Sequence, residues 1–206
     1  MTRRYGTVLA FLFLALLFAG CGGFKGYVAD YLAIGREMGL SEGYLDTLGK
    51  WTREKTGYSQ FETRFYLAVT YRSADMNRAF LMEQARVLQL TEEELKGKRR
   101  LQEETDREFT TFFLYAYTDD RLANDFAERG SMWRIYLVDD QGKKHAPLEV
   151  RKVDRVTPEI EAFYPYVNRH FGSCYNLKFP RQGRDDLKLV FTSVLGEATL
   201  SWGNVK

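Results

Sequence analysis

His170 and Cys174 stand four residues apart in His170-Phe-Gly-Ser-Cys174. An imidazole beside a thiol can hold a metal ion or generate a nucleophilic thiolate. A zinc site needs further ligands at a recognisable spacing, and a cysteine nucleophile needs a third group to orient its base. Asn168 and Asn176 are near in sequence, and nothing else in the pattern supports either chemistry. The strand-like surroundings, Ser173-Cys174-Tyr175-Asn176-Leu177, read more simply as a free cysteine packed as a small hydrophobe. The second histidine, His145, sits among Lys143, Lys144 and Pro147 and is expected at an exposed position by a hairpin.

Three acidic doublets, Asp119-Asp120, Asp139-Asp140 and Asp185-Asp186, fall at expected strand ends. Carboxylates clustered there could bind Ca²⁺ or act as the acid/base pair of a hydrolase. The commoner role of such doublets is turn formation, and none has a calcium-loop spacing. No Gly-x-Ser-x-Gly, HExxH or CxxCH is present and no Gly-rich phosphate loop follows a strand, so the sequence points to no cofactor. The aromatics are numerous: 13 Tyr, 15 Phe and 3 Trp. Most are expected in the core and on sheet surfaces, which aromatic side chains pack well. A sharper reading is an exposed platform for a glycan or protein partner, with Tyr58, Tyr66, Tyr115, Tyr117, Tyr164, Tyr166 and Tyr175 as candidates. Tyr164-Pro165-Tyr166, in an irregular stretch, is the expected exposed cluster.

These residues must be positioned by an α+β fold that is mainly β. Residues 27–60 read as an N-terminal helical segment: Val28, Tyr31, Leu32, Ile34 and Met38 give a helical stripe ended by Gly39, and Ser41 can start a second short helix. Gly49 and Gly57 then punctuate a polar connection. Residues 61–206 form the β-rich body. From Phe61 to Arg72, residues Phe61, Thr63, Phe65, Leu67, Val69 and Tyr71 share one face, with a wet or half-covered face opposite. Asp75 can cap a helix, and Thr91-Glu-Glu-Glu94 is a capping box opening a charge-dense helix to about residue 107. Phe109 to Tyr117, aromatic on both faces, should be a central buried strand. Segments 132–138 and 148–153 flank Asp139-Asp-Gln-Gly142 as a hairpin. Strands are also expected at 174–179, 187–193 and 198–202. The expected architecture is an antiparallel β-sandwich or partly closed barrel of about seven strands, with a helical pair inserted after the first strand.

The N-terminus carries a different signal. Met1-Thr-Arg-Arg-Tyr-Gly is followed by an almost wholly apolar run from Thr7 to Phe18 and then Ala19-Gly20-Cys21. A basic region, a short apolar run and small residues form a secretory signal peptide over residues 1–20, too short to span a bilayer. Ala-Gly-Cys resembles the lipobox of bacterial lipoproteins, although Phe18 stands where that family favours Leu. The resemblance implies cleavage between Gly20 and Cys21, and a diacylglyceryl group on the Cys21 thiol. Residues 21–26 are then the lipidated cysteine and a flexible Gly-rich spacer, and residues 27–206 a single domain. Gly22 replaces the Asp of the family's inner-membrane retention signal, so the resemblance points to the outer membrane, facing the periplasm.

Cleavage would remove Arg3 and Arg4 and no acid, so 30 basic against 28 acidic residues becomes 28 against 28. A neutral chain lacks the basic excess of a nucleic-acid-binding protein. With Cys21 lipidated, Cys174 is the one remaining thiol and no internal disulfide can form. The functional expectation is a membrane-anchored envelope lipoprotein acting as a non-catalytic binding or assembly module, with a protein or cell-wall glycan partner. The alternative is an envelope hydrolase using carboxylates at the strand ends.

Overall fold

In the computed structural model, which describes residues 27–60, 62–183 and 186–203 (backbone alone for 27–29), the chain folds as nine strands in two antiparallel sheets with five α-helices. The signal peptide, Gly20, Cys21, the spacer, Phe61 and Asp185 lie outside the described residues. Helices α1 (Tyr27–Glu37) and α2 (Glu42–Trp51) come first, followed by β1 (Thr52–Ser59) and β2 (Glu62–Tyr71). Helices α3 (Ala74–Leu88) and α4 (Glu92–Glu108) lead to β3 (Phe109–Thr118). The remaining elements are β4 (Arg134–Val138), β5 (Lys144–His145), β6 (Glu149–Lys152), α5 (Pro158–Phe163), β7 (Ser173–Pro180), β8 (Leu187–Ser193) and β9 (Gly196–Trp202).

One sheet has the order β1-β2-β3-β7-β6, and the other β5-β4-β8-β9. Between them lies one core, with Phe65, Leu67, Phe112, Leu114, Tyr175, Phe191 and Trp202 among its buried residues. A second core fills the space between the five-stranded sheet and the helices, from Leu45, Leu48, Ala68, Met76, Phe113, Tyr115, Phe163 and Cys174. The five-stranded sheet is therefore the middle of three layers. That position explains the aromatic residues on both faces of β3, which is the central strand of its sheet as expected. The same cover buries Ala68 and Thr70 on the face of β2 that alternation alone left half-wet. At one edge Arg53 Nε donates to the Ser201 carbonyl at 3.0 Å and Trp202 Nε1 to the Trp51 carbonyl at 2.8 Å. No strand ladder joins the sheets there among the described residues, so the sandwich stays open.

Several expectations are corrected. The polar connection before Tyr58 is the edge strand β1, so the helical pair follows the second strand rather than the first. Its side chains are polar because only one of its backbone edges is paired within the sheet, yet pairing with β2 along Thr52–Ser59 is enough to order it. The register between them shifts between Gly57 and Tyr58, which sets Thr63 opposite Tyr58 and skips Arg64. This bulge breaks the strict alternation that grouped Thr63 with Phe65. Gly57 packs its backbone against the Phe65 ring so closely that a Cβ would overlap it. The hairpin at Asp139 joins β4 to the two-residue β5, whereas Leu148–Val153 crosses to the other sheet as β6 and pairs with β7. Ser73, not Asp75, caps α3, accepting from the Met76 amide at 3.2 Å. The capping box of α4 forms as expected, with Thr91 and Glu94 each satisfying the other's amide.

Candidate functional site

Three strands of the middle sheet present tyrosines and threonines toward the helical side near one end. Thr56 of β1, Thr63 and Tyr66 of β2, and Tyr115 and Tyr117 of β3 line an open pocket of about 350 Å³. Tyr31 of α1, with Asn168 and Phe171 of the segment after α5, completes the rim. Sheet pairing sets this assembly: Tyr66 lies opposite both Thr56 and Tyr117, and the bulge at Arg64 turns Thr63 to the same side. The Tyr66 and Tyr115 rings meet at 6.3 Å in an edge-on arrangement. Tyr66 Oη donates to Glu54 Oε2 at 3.0 Å, and Tyr115 Oη to the Asn168 carbonyl at 3.1 Å. Burial, together with the Glu54 charge beside Tyr66, pushes both phenols well above their ordinary range, so they stay neutral. Phe171 remains 67% exposed at the mouth. Among the described residues the lining contains no charged side chain.

The expected aromatic platform therefore divides. Tyr66, Tyr115 and Tyr117 line the pocket and Tyr58 is exposed, whereas Tyr164 and Tyr166, the expected exposed cluster, are 3% and 1% exposed. The short helix α5 opens at Thr157-Pro158 and turns this segment inward. Tyr164 then stacks on Phe113 at 4.2 Å, and Tyr166 shares a 2.5 Å hydrogen bond with the Thr70 hydroxyl. Tyr175 points into the inter-sheet core and donates to the Asn124 carbonyl at 2.7 Å.

His170 and Cys174 are not brought together: His170 is exposed, while Cys174 is buried under the helices with its thiol pushed up to about 12 by burial, then by the Glu161 charge. A neutral thiol away from imidazole is neither ligand nor nucleophile at ordinary pH. Two of the acidic doublets organise turns. Asp120 caps the 3₁₀ turn Arg121–Ala123 and Asp119 pairs with Arg64 at 3.3 Å. Asp139 accepts from the Gln141 and Lys143 amides and from His145 Nε2 at 2.8 Å, so His145 is tied into the hairpin rather than free on it. Among the described residues no group of three or more His, Cys, Asp or Glu side chains is placed to hold a metal ion.

A second cavity, of about 430 Å³, opens on the same side of the sheet where β6 meets α5. Its inner wall is an aromatic stack, Phe80 and Phe113 on either side of Tyr164. The Arg72 guanidinium lies 4.8 Å over the Phe80 ring, donates through Nη1 to Tyr164 Oη at 2.7 Å, and through Nε to Asn77 Oδ1. Arg151, Lys152 and Arg155 line the rim together with one acid, Asp154. The basic character was not legible in sequence, because Arg72 is 79 residues from Arg151 and only strand pairing through β3 and β7 brings them to one face of the sheet.

No family model matches the chain, and no curated protein matches it. Among solved structures, one similar fold is a protein of unknown function from Burkholderia pseudomallei. It is 9% identical with a TM-score of 0.42, over 86% of this chain and 90% of that one.

Proposed function

We propose that this chain is a lipid-anchored protein of the bacterial envelope whose domain is a non-catalytic binding module, and that its aromatic pocket receives an uncharged, polyhydroxylated ligand such as a cell-wall glycan. The carrying observation is the lining: aromatic faces and neutral hydroxyl or amide groups, without a charged side chain among the described residues. Aromatic rings supply large apolar area at small conformational cost, while a few placed polar groups fix orientation. At two of the strand ends that a hydrolase would use, Asp120 and Asp139 are occupied in a cap and a turn. The anchor rests on the lipobox resemblance at Cys21. Tyr31, on the pocket rim, is ten residues from Cys21, a stretch that spans at most about 35 Å when fully extended. A tether that short would confine the pocket to ligands near the membrane surface.

The test titrates the full chain, held in neutral detergent, with soluble cell-wall glycan fragments by calorimetry. Saturable binding is expected, weakened at least about tenfold in Tyr117→Ala and Phe171→Ala, since each removes a stacking face worth about 1.4 kcal/mol or more. No binding, or affinity indifferent to both changes, would sink the ligand reading. The anchor has its own test: Cys21→Ala should move the protein from the membrane fraction to the soluble periplasm, and retention in membranes would overturn lipidation.

A further inference from the structure

We propose that the cavity beneath Arg72 is an oxyanion site for a phosphate group, distinct from the aromatic pocket and independent of its ligand. Arg72 is half-buried and its three neighbours are neutral: an amide oxygen, a phenol and a ring face. A guanidinium drawn away from water normally has a carboxylate partner. None of the ion pairs among the described residues includes Arg72, Lys152 or Arg155. Arg151 is shared with Glu149 at 3.7 Å, and Asp154 is the one acid of the lining. The nearest carboxylate tied to Arg72 is Asp106, one step removed through Asn77.

The four basic side chains of the lining, set against Asp154 and the Glu149 that Arg151 shares, leave two positive charges, and Asp106 behind Asn77 lies outside the lining. A doubly charged phosphate oxyanion matches that excess better than a single carboxylate does. Asn77 and Tyr164 fix the fork of Arg72, leaving Nη2 without a partner among the described residues, so one donor edge is held in place for a ligand. Arg155, exposed at the rim, would add a second guanidinium to the ligand, with Lys152 contributing charge at the edge of the cavity. The phosphate could be free in solution or part of a phospholipid headgroup.

The experiment titrates the full chain in neutral detergent with inorganic phosphate, and in parallel with micelles doped with phosphatidylglycerol. Lys152→Ser/Arg155→Ser removes two of the three basic rim charges without touching the core, and Lys96→Ser/Arg99→Ser on the outer helix α4 is the matched control. Saturable calorimetric binding is expected in at least one arm, weakened at least about tenfold by the rim variant and under about twofold by the control. Binding in the phosphate arm identifies a free anion, and binding in the lipid arm alone identifies a headgroup. No binding in either arm, or equal loss in rim and control variants, would overturn the proposal. Arg72→Gln serves as a second variant, with circular dichroism checking its fold: folded protein that binds phosphate as before also overturns it.

Discussion

Arg72 and Tyr164 meet in a 2.7 Å hydrogen bond, guanidinium to phenol, across 92 residues of sequence. The contact gives a buried phenol its partner and holds the guanidinium against the aromatic stack of Phe80, Tyr164 and Phe113. Tyr164 is therefore a structural residue that orients Arg72.

Replacing Tyr164 separates these roles. Tyr164→Phe keeps the ring and removes the acceptor, and should cost about 1 kcal/mol. Tyr164→Ala also opens a hole beneath Phe113 and should cost about 3–5 kcal/mol. Urea unfolding followed by circular dichroism measures both, and equal costs would contradict the separation.

The buried Glu83 carboxylate accepts from the Ser41 amide at 2.8 Å, the Ser41 hydroxyl at 2.6 Å and Arg86 Nη2 at 2.6 Å, clamping the turn before α2 onto α3. Burial pushes its pKa up, but the hydrogen bonds from Arg86 and Ser41 outweigh burial and hold it below the ordinary value. A depressed folded-state pKa means the contribution is complete above the unfolded value of about 4.3 and fades as pH falls through the folded one. Glu83→Gln should lower stability at pH 7 and flatten the loss of stability between about pH 5 and pH 3. Thermal melting across that range is the measurement, and an unchanged acid slope would refute it.

Gly172 borders the aromatic pocket, and a Cβ there would lie 2.5 Å from the Tyr115 ring and 2.6 Å from the Ala116 carbonyl oxygen. The carbonyl belongs to the central strand and cannot yield cheaply. Gly172→Ala should cost about 1–3 kcal/mol by overpacking and displace Tyr115 from the pocket wall. The check is whether stability and glycan affinity fall together.

Cys174, with its thiol pushed up to about 12, stays protonated at pH 8. In a Cys21→Ser background a thiol-disulfide reagent should label it only as fast as the protein unfolds. Prompt labelling of folded protein would show that the thiol is accessible.

Much of the framework was legible in local pattern. Period-2 alternation from Phe65 to Tyr71 marks β2, aromatic character on both faces marks β3 as central, and Thr91 with Glu94 announces α4. Strand β1 was not legible, because its polar residues form an edge held by backbone pairing rather than by burial. The partner of β6 was not legible either, since four residues carry no mark of which sheet will take them.

The sequence by itself determined most of the strands and helices, the turn role of Asp120 and Asp139 and the burial of Cys174. These follow from side-chain type and spacing over a few residues. Only the tertiary structure decided which aromatics are accessible and which cations converge. Layering helices over one sheet buries Tyr164 and Tyr166 and leaves Tyr66, Tyr115 and Tyr117 around an open pocket, while strand pairing through β3 and β7 gathers Arg72 with Arg151, Lys152 and Arg155. Exposure and charge convergence depend on which distant segments cover a surface, and no local periodicity carries that information.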